Sequence, residues 1–294
     1  MSKGRLFVTG GAGFTGVHLI EGATACGWEV KSLEGNLEKI AQLEQQIADF
    51  SPSAVVHLAA ISAVTHTDLS EIYRVNVIGT ENLLKAISKT KQPIKKIVLA
   101  SSAAVYGNSS GGLLTENLPP VPVSHYGISK LAMEFVAATF YDRLPIVIAR
   151  PFNYTGVGHD ERFVVPKIVG HFLRKSAVIE LGDLQVEREF NDVRFVIEQY
   201  LALLDSGRPG EIYNVCSGRP VKLQSVIDVL VQMTGLRPDI RLNSAFVRDN
   251  EVRLLAGSPV KMNGLMSRAN QYSLEETIQW MIARSTTGPT TRSS

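Results

Sequence analysis

The chain is poor in cysteine. Cys26 and Cys216 are its only two, too few for a disulfide framework, so the reading they favour is a reducing cytoplasm. Charge of one sign is also lacking. The formal net charge is +2 and no block of like charges stands anywhere, so nucleic acid is not an expected partner. No apolar run is long enough to span a bilayer, and no apolar signal segment comes before MSKGRLFVTG, which runs straight into a strand and a glycine turn. A membrane is therefore not expected either, nor is a bound metal. There is no internal repeat and no low-complexity linker; only the polar tail Thr286–Ser294 reads as disordered. What is there is 294 residues, 45% hydrophobic and 20% charged. That suffices for one large core, or for a main domain with a smaller partner.

Short apolar runs and amphipathic stretches alternate through the first half. Arg5–Thr9, Glu29–Leu33, Ala54–Ala60, Lys96–Ala100 and Ile146–Ala149 read as strands. Val17–Cys26, Leu37–Phe50, Ser70–Ser88 and Val123–Tyr141 read as the helices between them. Such alternation predicts an α/β fold: a Rossmann-type, doubly wound parallel sheet with helices on both faces. After Arg150 the pattern loosens. RPFNYTGVGHDERF is loop-like, Val164–Lys175, Val193–Leu204 and Leu223–Thr234 look helical, and Glu211–Val215 is a short strand. The expected division is a nucleotide-binding domain over 1–150, rejoined by about 189–213. A smaller α/β domain takes 151–188 and 214–285.

TGGAGFTG sets Gly10, Gly13 and Gly16 directly after a strand and at the start of a helix. Gly10 permits the tight turn, Gly13 lets a pyrophosphate approach the backbone, and Gly16 lets helix and strand pack closely. The helix N-terminus adds free N–H groups and a partial positive charge. The motif therefore points to a dinucleotide. At the end of the second strand Glu34 is placed either to accept from an adenosine 2′-OH or to stand as a solvated loop carboxylate. Lys31 and the short connection to Asn36 leave both NAD and NADP open.

VSHYGISK carries Tyr126 and Lys130 four residues apart, on one helix face. Free tyrosine has a pKa of about 10, too high to exchange a proton easily near neutral pH. A neighbouring ammonium is expected to lower it. Ser101 and Ser102, in KIVLASSAAVYG, sit at the carboxyl end of the fourth strand, where open parallel sheets bind ligands. A tyrosine–lysine pair alone is an ordinary helix-surface feature. After a glycine turn and a strand-end serine pair, in that chain order, it reads as catalytic.

TGGAGFTG, HLAA, SSAAVYG and YGISK, in this order over almost the whole chain, resemble the extended branch of the short-chain dehydrogenase/reductase family. The resemblance implies NAD(P) chemistry on a nucleotide-linked sugar. It makes Tyr126 the proton donor and acceptor, Lys130 its partner, and Ser102 the hydroxyl that holds the substrate oxygen. It implies coenzyme contacts along the glycine turn, at Gly10, Gly13, Phe14, Thr15 and Gly16. Further contacts fall on Glu34, Asn36 and Leu37, and His57, Leu58, Ala59, Ala60 and Ser62 would line the pocket. Ala100, Tyr126, Lys130 and Pro151 complete the set. His57 also reads as a satisfied strand-end histidine.

Later stretches resemble the GDP-4-keto-6-deoxymannose reductases: ARPFNYTGVG, EREFNDV and GEIYNVCSGRPV. They imply substrate contacts at Asn153, Val165, Lys167 and Arg188, then at Arg248 and Glu251 in VRDNEVRLLAGSPVKM. Asn153, Arg188 and Arg248 would take the diphosphate, a guanidinium being able to bind it bidentately. Each arginine can equally be a solvated salt-bridge partner. The related 4,6-dehydratases carry an acidic pair where Ala103 and Ala104 stand here, and alanine moves no proton, so dehydration is not expected. Two positions depart from the reductase pattern. Tyr154 stands in place of histidine, and His125 in place of proline before the catalytic tyrosine. His125 and His159 read as solvated loop residues within reach of a substrate. SSAAVYG is as close to UDP-hexose 4-epimerases as to the reductases.

The expectation is an NAD(P)H-dependent 4-ketoreductase acting on a sugar linked to GDP in preference to UDP or dTDP. It would be a cytoplasmic homodimer joined through helices Ser70–Ser88 and Val123–Tyr141. Its product would be GDP-D-rhamnose or the C4 epimer GDP-6-deoxy-D-talose. The rivals are an NAD-dependent UDP-hexose 4-epimerase and a non-catalytic dinucleotide-binding regulator.

Overall fold

The alternation seen in the sequence becomes alternation in space. The computed structural model describes residues 3–62, 68–109, 112–246, 252–266 and 272–286. Arg248, Glu251 and the tail beyond Thr286 lie outside the described residues. Strand β1 (Gly4–Thr9) turns into α1 (Phe14–Ala25), followed by β2 (Trp28–Ser32), α2 (Ile40–Phe50) and β3 (Ala54–His57). The helix expected over Ser70–Ser88 is two helices, α3 (Leu69–Tyr73) and α4 (Gly79–Ser88). A π turn at Arg74–Ile78 joins them. Next come β4 (Lys96–Ala100), α5 (His125–Ala138) and β5 (Ile146–Pro151). Helix α5 starts at His125 because the Ser124 hydroxyl caps it, accepting from the Gly127 N–H at 3.1 Å.

The second half is built of shorter pieces. They are β6 (Tyr154–Thr155), α6 (Val164–Leu173), β7 (Val178–Leu181), β8 (Glu187–Arg188), β9 (Asn191–Asp192) and α7 (Val193–Ser206). Then follow β10 (Ile212–Val215), β11 (Val221–Lys222), α8 (Leu223–Thr234), β12 (Asp239–Leu242), β13 (Leu254–Leu255), α9 (Val260–Asn263) and α10 (Leu274–Thr286).

Six strands form one all-parallel sheet in the order β10-β5-β4-β3-β1-β2. Successive residues of a strand point to opposite faces, and both faces here are apolar. Leu6, Val8, Val56, Val98 and Val147 pack under α1 and α7, where Leu19, Val196 and Tyr200 are buried. Phe7, Val55, Ile97, Leu99 and Ile148 pack under α2, α4 and α5. This is why the strands read as continuous apolar runs. Strands β2 and β3 lie on opposite sides of β1, so the strand order reverses there, the place where such sheets open a ligand crevice.

A third apolar cluster lies outside that sheet. Val165, Ile168 and Phe172 of α6 meet Ile179 of β7, Val226 and Leu230 of α8, and Ile278 of α10. Around it stand a three-stranded sheet, β11-β8-β13, and the pairs β12-β7 and β6-β9. Residues 260–266, expected within the smaller unit, face the other way: Met262 is buried in the main-sheet cluster with α1 and α7. Among the described residues no helix is long and apolar enough to cross a membrane.

Candidate active site

The glycine turn forms at the reversal point. Gly10 has φ +73°, and a Cβ there would lie 2.6 Å from the Ala59 nitrogen, so β1 can approach the end of β3 only as glycine. A Cβ on Gly16 would run into the Gly10 carbonyl oxygen. Gly13 N–H donates to that same oxygen at 3.1 Å. Gly13 is the N-cap of α1, no side chain caps the helix, and no acidic residue stands in its first turn. A helix start with this geometry and no competing carboxylate fits a pyrophosphate.

Around the turn the other predicted coenzyme residues take their places. The Gln46 side chain holds Glu34 by its backbone, accepting from its N–H at 3.0 Å and donating to its carbonyl at 2.7 Å, and residue 34 itself is exposed. Asn36 is exposed, whereas Leu37 is buried among α2 and α4 side chains. Leu58, Ala59, Ala60 and Ser62 form the segment after β3. It is pinned by Asn76, whose amide accepts from Ile61 N–H at 2.8 Å and donates to Ile61 O at 3.1 Å and to Ser129 Oγ at 3.0 Å. Ser129 in turn donates to the Tyr126 carbonyl at 2.8 Å. The π turn thus ties the β3 loop to the helix that carries Tyr126.

His57 is a structural histidine. Thr80 donates to the Asn76 carbonyl at 2.8 Å, so its oxygen accepts from His57 Nε2, also at 2.8 Å. That leaves Nδ1 to accept from Thr9 Oγ1 at 2.6 Å. Burial, with the Lys130 charge nearby, pushes its pKa down to about 3, so the ring is neutral.

Ser102, Tyr126 and Lys130 are brought together. The Ser102 hydroxyl lies close to the Tyr126 phenol and accepts from Ala104 N–H at 3.1 Å. Gly127 makes this closeness possible, because a Cβ there would lie 2.6 Å from the Ala104 carbonyl oxygen. Lys130, 3% exposed, donates to the Ala100 carbonyl at 2.7 Å and lies 6.0 Å from the Tyr126 ring centroid. Its pKa falls to about 8 through burial, against the opposing charge of Glu134.

The expected lowering of the Tyr126 pKa is reversed. Burial raises it to about 12, the neighbouring Tyr154 adds to the rise, and the nearby Ser102 hydroxyl only moderates it. The lysine ammonium is directed at a backbone carbonyl instead of the phenol, so desolvation prevails.

The predicted substrate residues are less uniform. Asn153 is exposed, and its carbonyl accepts from Asn191 N–H at 3.0 Å. Val165 is 2% exposed inside the third cluster, so its side chain serves the core. Lys167 donates to the Glu180 carbonyl at 2.9 Å and lies 3.9 Å over the Phe246 ring. Arg188 donates to the carbonyls of Glu187 and Arg253, at 2.8 and 3.1 Å. Beneath it the buried Glu189 carboxylate accepts from Gly257 N–H, Ser217 N–H and Asn191 Nδ2 at 2.7, 2.7 and 2.9 Å. That grip holds the 187–191 segment to two loops.

Some of these residues escape a motif search. Glu134 follows Tyr126 and Lys130 at the same four-residue spacing, which is its signal in the sequence. Arg150 grips it through Nε and Nη2 at 2.9 and 2.6 Å. Asn76 and Gln46 carry no spacing signal at all.

The whole arrangement can bind a dinucleotide at the turn and present a protonated phenol and a serine hydroxyl beside it. The chain matches the model of the NAD dependent epimerase/dehydratase family over residues 6–216. It belongs to that family. The family assignment makes it an NAD(P)-dependent enzyme. It is 31% identical to the GDP-6-deoxy-D-talose 4-dehydrogenase of Aggregatibacter actinomycetemcomitans, over 92% of this chain and 93% of that one. It is 30% identical to the GDP-6-deoxy-D-mannose reductase of Pseudomonas aeruginosa, over 95% and 96%. Among solved structures, RMD from Pseudomonas aeruginosa complexed with NADPH superposes with a TM-score of 0.86 at 28% identity, covering 96% of this chain and 98% of that one. A Burkholderia cenocepacia J2315 protein, provisionally named an epimerase, gives 0.92 at 40% identity, over 98% and 99%.

Proposed function

We propose that this enzyme reduces the C4 keto group of a nucleotide-activated 4-keto-6-deoxyhexose, GDP-4-keto-6-deoxy-D-mannose in first place. One observation carries the reading: the buried Tyr126 phenol keeps its proton close to the Ser102 hydroxyl, while Ala103 and Ala104 stand in the place of an acid–base pair. Bound NADH or NADPH supplies the hydride. With its pKa near 12, Tyr126 keeps its proton at neutral pH and gives it to the oxygen on which negative charge develops, a stronger base than phenolate. Ser102 holds that oxygen and so fixes where the charge forms. Lys130 holds the coenzyme ribose with an ammonium whose third-party anchor is the Ala100 carbonyl. Ala103 and Ala104 provide no group to pull a proton from C5 or push a hydroxyl from C6, so water is not eliminated.

The unit around the third cluster, over 151–188 and 214–285 without the main-sheet segment 260–266, is proposed to take the sugar nucleotide, with Asn153 and Arg188 on its diphosphate. The GDP-linked names of the two relatives near 30% identity support the choice of nucleotide. A homodimer is proposed through α3, α4 and α5, where Leu69, Ile78, Ile128 and Phe135 are 44%, 47%, 40% and 66% exposed.

The test is coenzyme oxidation, followed by absorbance, with GDP-4-keto-6-deoxymannose generated in place by a separate dehydratase. Steady consumption with one coenzyme supports the reductase and shows which ribose Glu34 accepts. No consumption, with NAD retained in the purified protein and interconversion of UDP-hexoses, would replace it with the 4-epimerase.

A further inference from the structure

A segment from the second half of the chain grips the first turn of α1. The Thr15 hydroxyl and the Tyr154 phenol lie 2.6 Å apart. The ring of Phe14 is stacked between Tyr154, at 5.9 Å and 18°, and His159, at 4.2 Å and 10°. One turn on, His18 Nε2 donates to the Val157 carbonyl at 2.8 Å. Residues 154–159 therefore run alongside residues 14, 15 and 18. Tyr154 is itself well rooted: it lies in β6, paired in register with Asn191 of β9.

Phe14 and Thr15 are the first two residues of the helix whose uncapped N-terminus would face the coenzyme pyrophosphate. Their N–H groups must be held still to within tenths of an ångström for a phosphate to be bound well. No side chain of the turn itself does this, since α1 has no capping side chain. The one hydroxyl pair that fixes the turn from outside joins Thr15 to Tyr154.

We propose that Tyr154 is a positioning residue for the coenzyme, holding the first turn of α1 through Thr15 so that its N–H groups are set for the pyrophosphate. The proposal rests on coenzyme binding at the glycine turn and is independent of which sugar is reduced. Tyr154 also follows Asn153 directly, so the strand that would touch the sugar nucleotide is the strand that steadies the coenzyme turn.

The experiment is a titration of the full chain with NADH and NADPH, read by coenzyme fluorescence in the absence of sugar, beside steady-state kinetics. Tyr154→Phe keeps the ring stack and removes only the phenol oxygen. Its dissociation constant should rise roughly fivefold to tenfold, the loss of one net hydrogen bond. The Michaelis constant for coenzyme should rise with it, while turnover at saturating coenzyme falls by less than about twofold. Thr15→Val should weaken binding similarly, and Thr15→Ser, which keeps a hydroxyl, should fall less. The double variant Tyr154→Phe/Thr15→Val should be no weaker than about twofold beyond either single one, because both remove the same contact. Parent-like coenzyme binding in Tyr154→Phe would overturn the proposal, as would independent, multiplying losses in the double variant. A fall in turnover with coenzyme binding unchanged would overturn it as well, and would place Tyr154 at the reacting atoms.

Discussion

Glu134→Gln offers a sharp test of how α5 is held to the sheet. Glu134 and Arg150 have side chains only 7% and 3% exposed. The guanidinium binds the carboxylate through two nitrogens, and the Ser101 hydroxyl donates to the same carboxylate. The guanidinium lies 4.9 Å over the Tyr106 ring, and its remaining nitrogen, Nη1, has no partner. Glutamine keeps the shape but removes the charge, and it turns one acceptor into a donor facing donors. A buried cation deprived of its counter-charge costs about 3–5 kcal/mol. At roughly 2–4 °C per kcal/mol for a chain of this size, the unfolding midpoint should fall by on the order of 10 °C. Replacing both partners, as Glu134→Leu/Arg150→Met, should restore most of it, because an apolar pair of similar volume is near neutral. Circular dichroism melts at fixed pH measure both. A fall of less than about 2 °C in the single variant, or a double variant less stable than either single one, would refute the reasoning.

The remaining predictions concern the site and its assembly. Tyr126→Phe should lower turnover about 10²–10⁴-fold with coenzyme affinity near the parent value; full turnover would remove Tyr126 as proton donor. Coenzyme binding should weaken as pH rises through about 8, where the buried Lys130 loses its charge, and Lys130→Arg should abolish that limb; an unchanged limb in a folded Lys130→Arg variant would assign it elsewhere. Lys130 has its opposite effect on stability: between about 8 and its ordinary 10.5 the unfolded chain binds the extra proton, so its contribution to stability rises with pH in that window. Gly127→Ala should push α5 off the Ala104 carbonyl, costing about 1–3 kcal/mol and at least tenfold in turnover as Ser102 and Tyr126 part; parent-like kinetics would show that the contact is dispensable. Phe135→Lys should shift the proposed dimer toward monomer in sedimentation equilibrium, and an unmoved equilibrium would place the interface away from α5.

The first half was legible because β1, β3, β4 and β5 are buried on both faces and the turn after β1 needs glycine. Gly10 and Gly16 are fixed by backbone contacts that any Cβ would break, so their spacing announces the turn. Chain order singled out Ser102, Tyr126 and Lys130, and the fold places the three near one another. Two features were hidden. The π turn at Arg74–Ile78 leaves the apolar pattern of Ser70–Ser88 almost unaltered, yet it is what presents Asn76. The direction of the Tyr126 shift depends on where the Lys130 nitrogen points, and that was set by the Ala100 carbonyl. In the second half, β6, β8, β9, β11 and β13 are two residues each, too short for a period to register. Val165 matched a motif position but belongs to the core, and Thr15 and Tyr154 meet across most of the fold.

The place of α7 and β10 in the main sheet has a consequence for how the chain is made. Every motif proposed to touch the coenzyme has left the ribosome once Pro151 has, yet β5 is then a bare edge awaiting β10. One sheet face is meanwhile covered by α1 alone, since Val193, Val196, Tyr200 and Leu203 of α7 have yet to be synthesised. A nascent chain stopped there exposes both hazards that lead to aggregation, an open strand edge and a broad apolar face. The sheet face that α1 shares with α7, and the edge that β10 covers, are complete only once residues 193–215 are made, and by then Tyr154, which meets Thr15 of the glycine turn, is already present. Synthesis from the N-terminus thus delivers the proposed catalytic motifs before the sheet that carries them is complete.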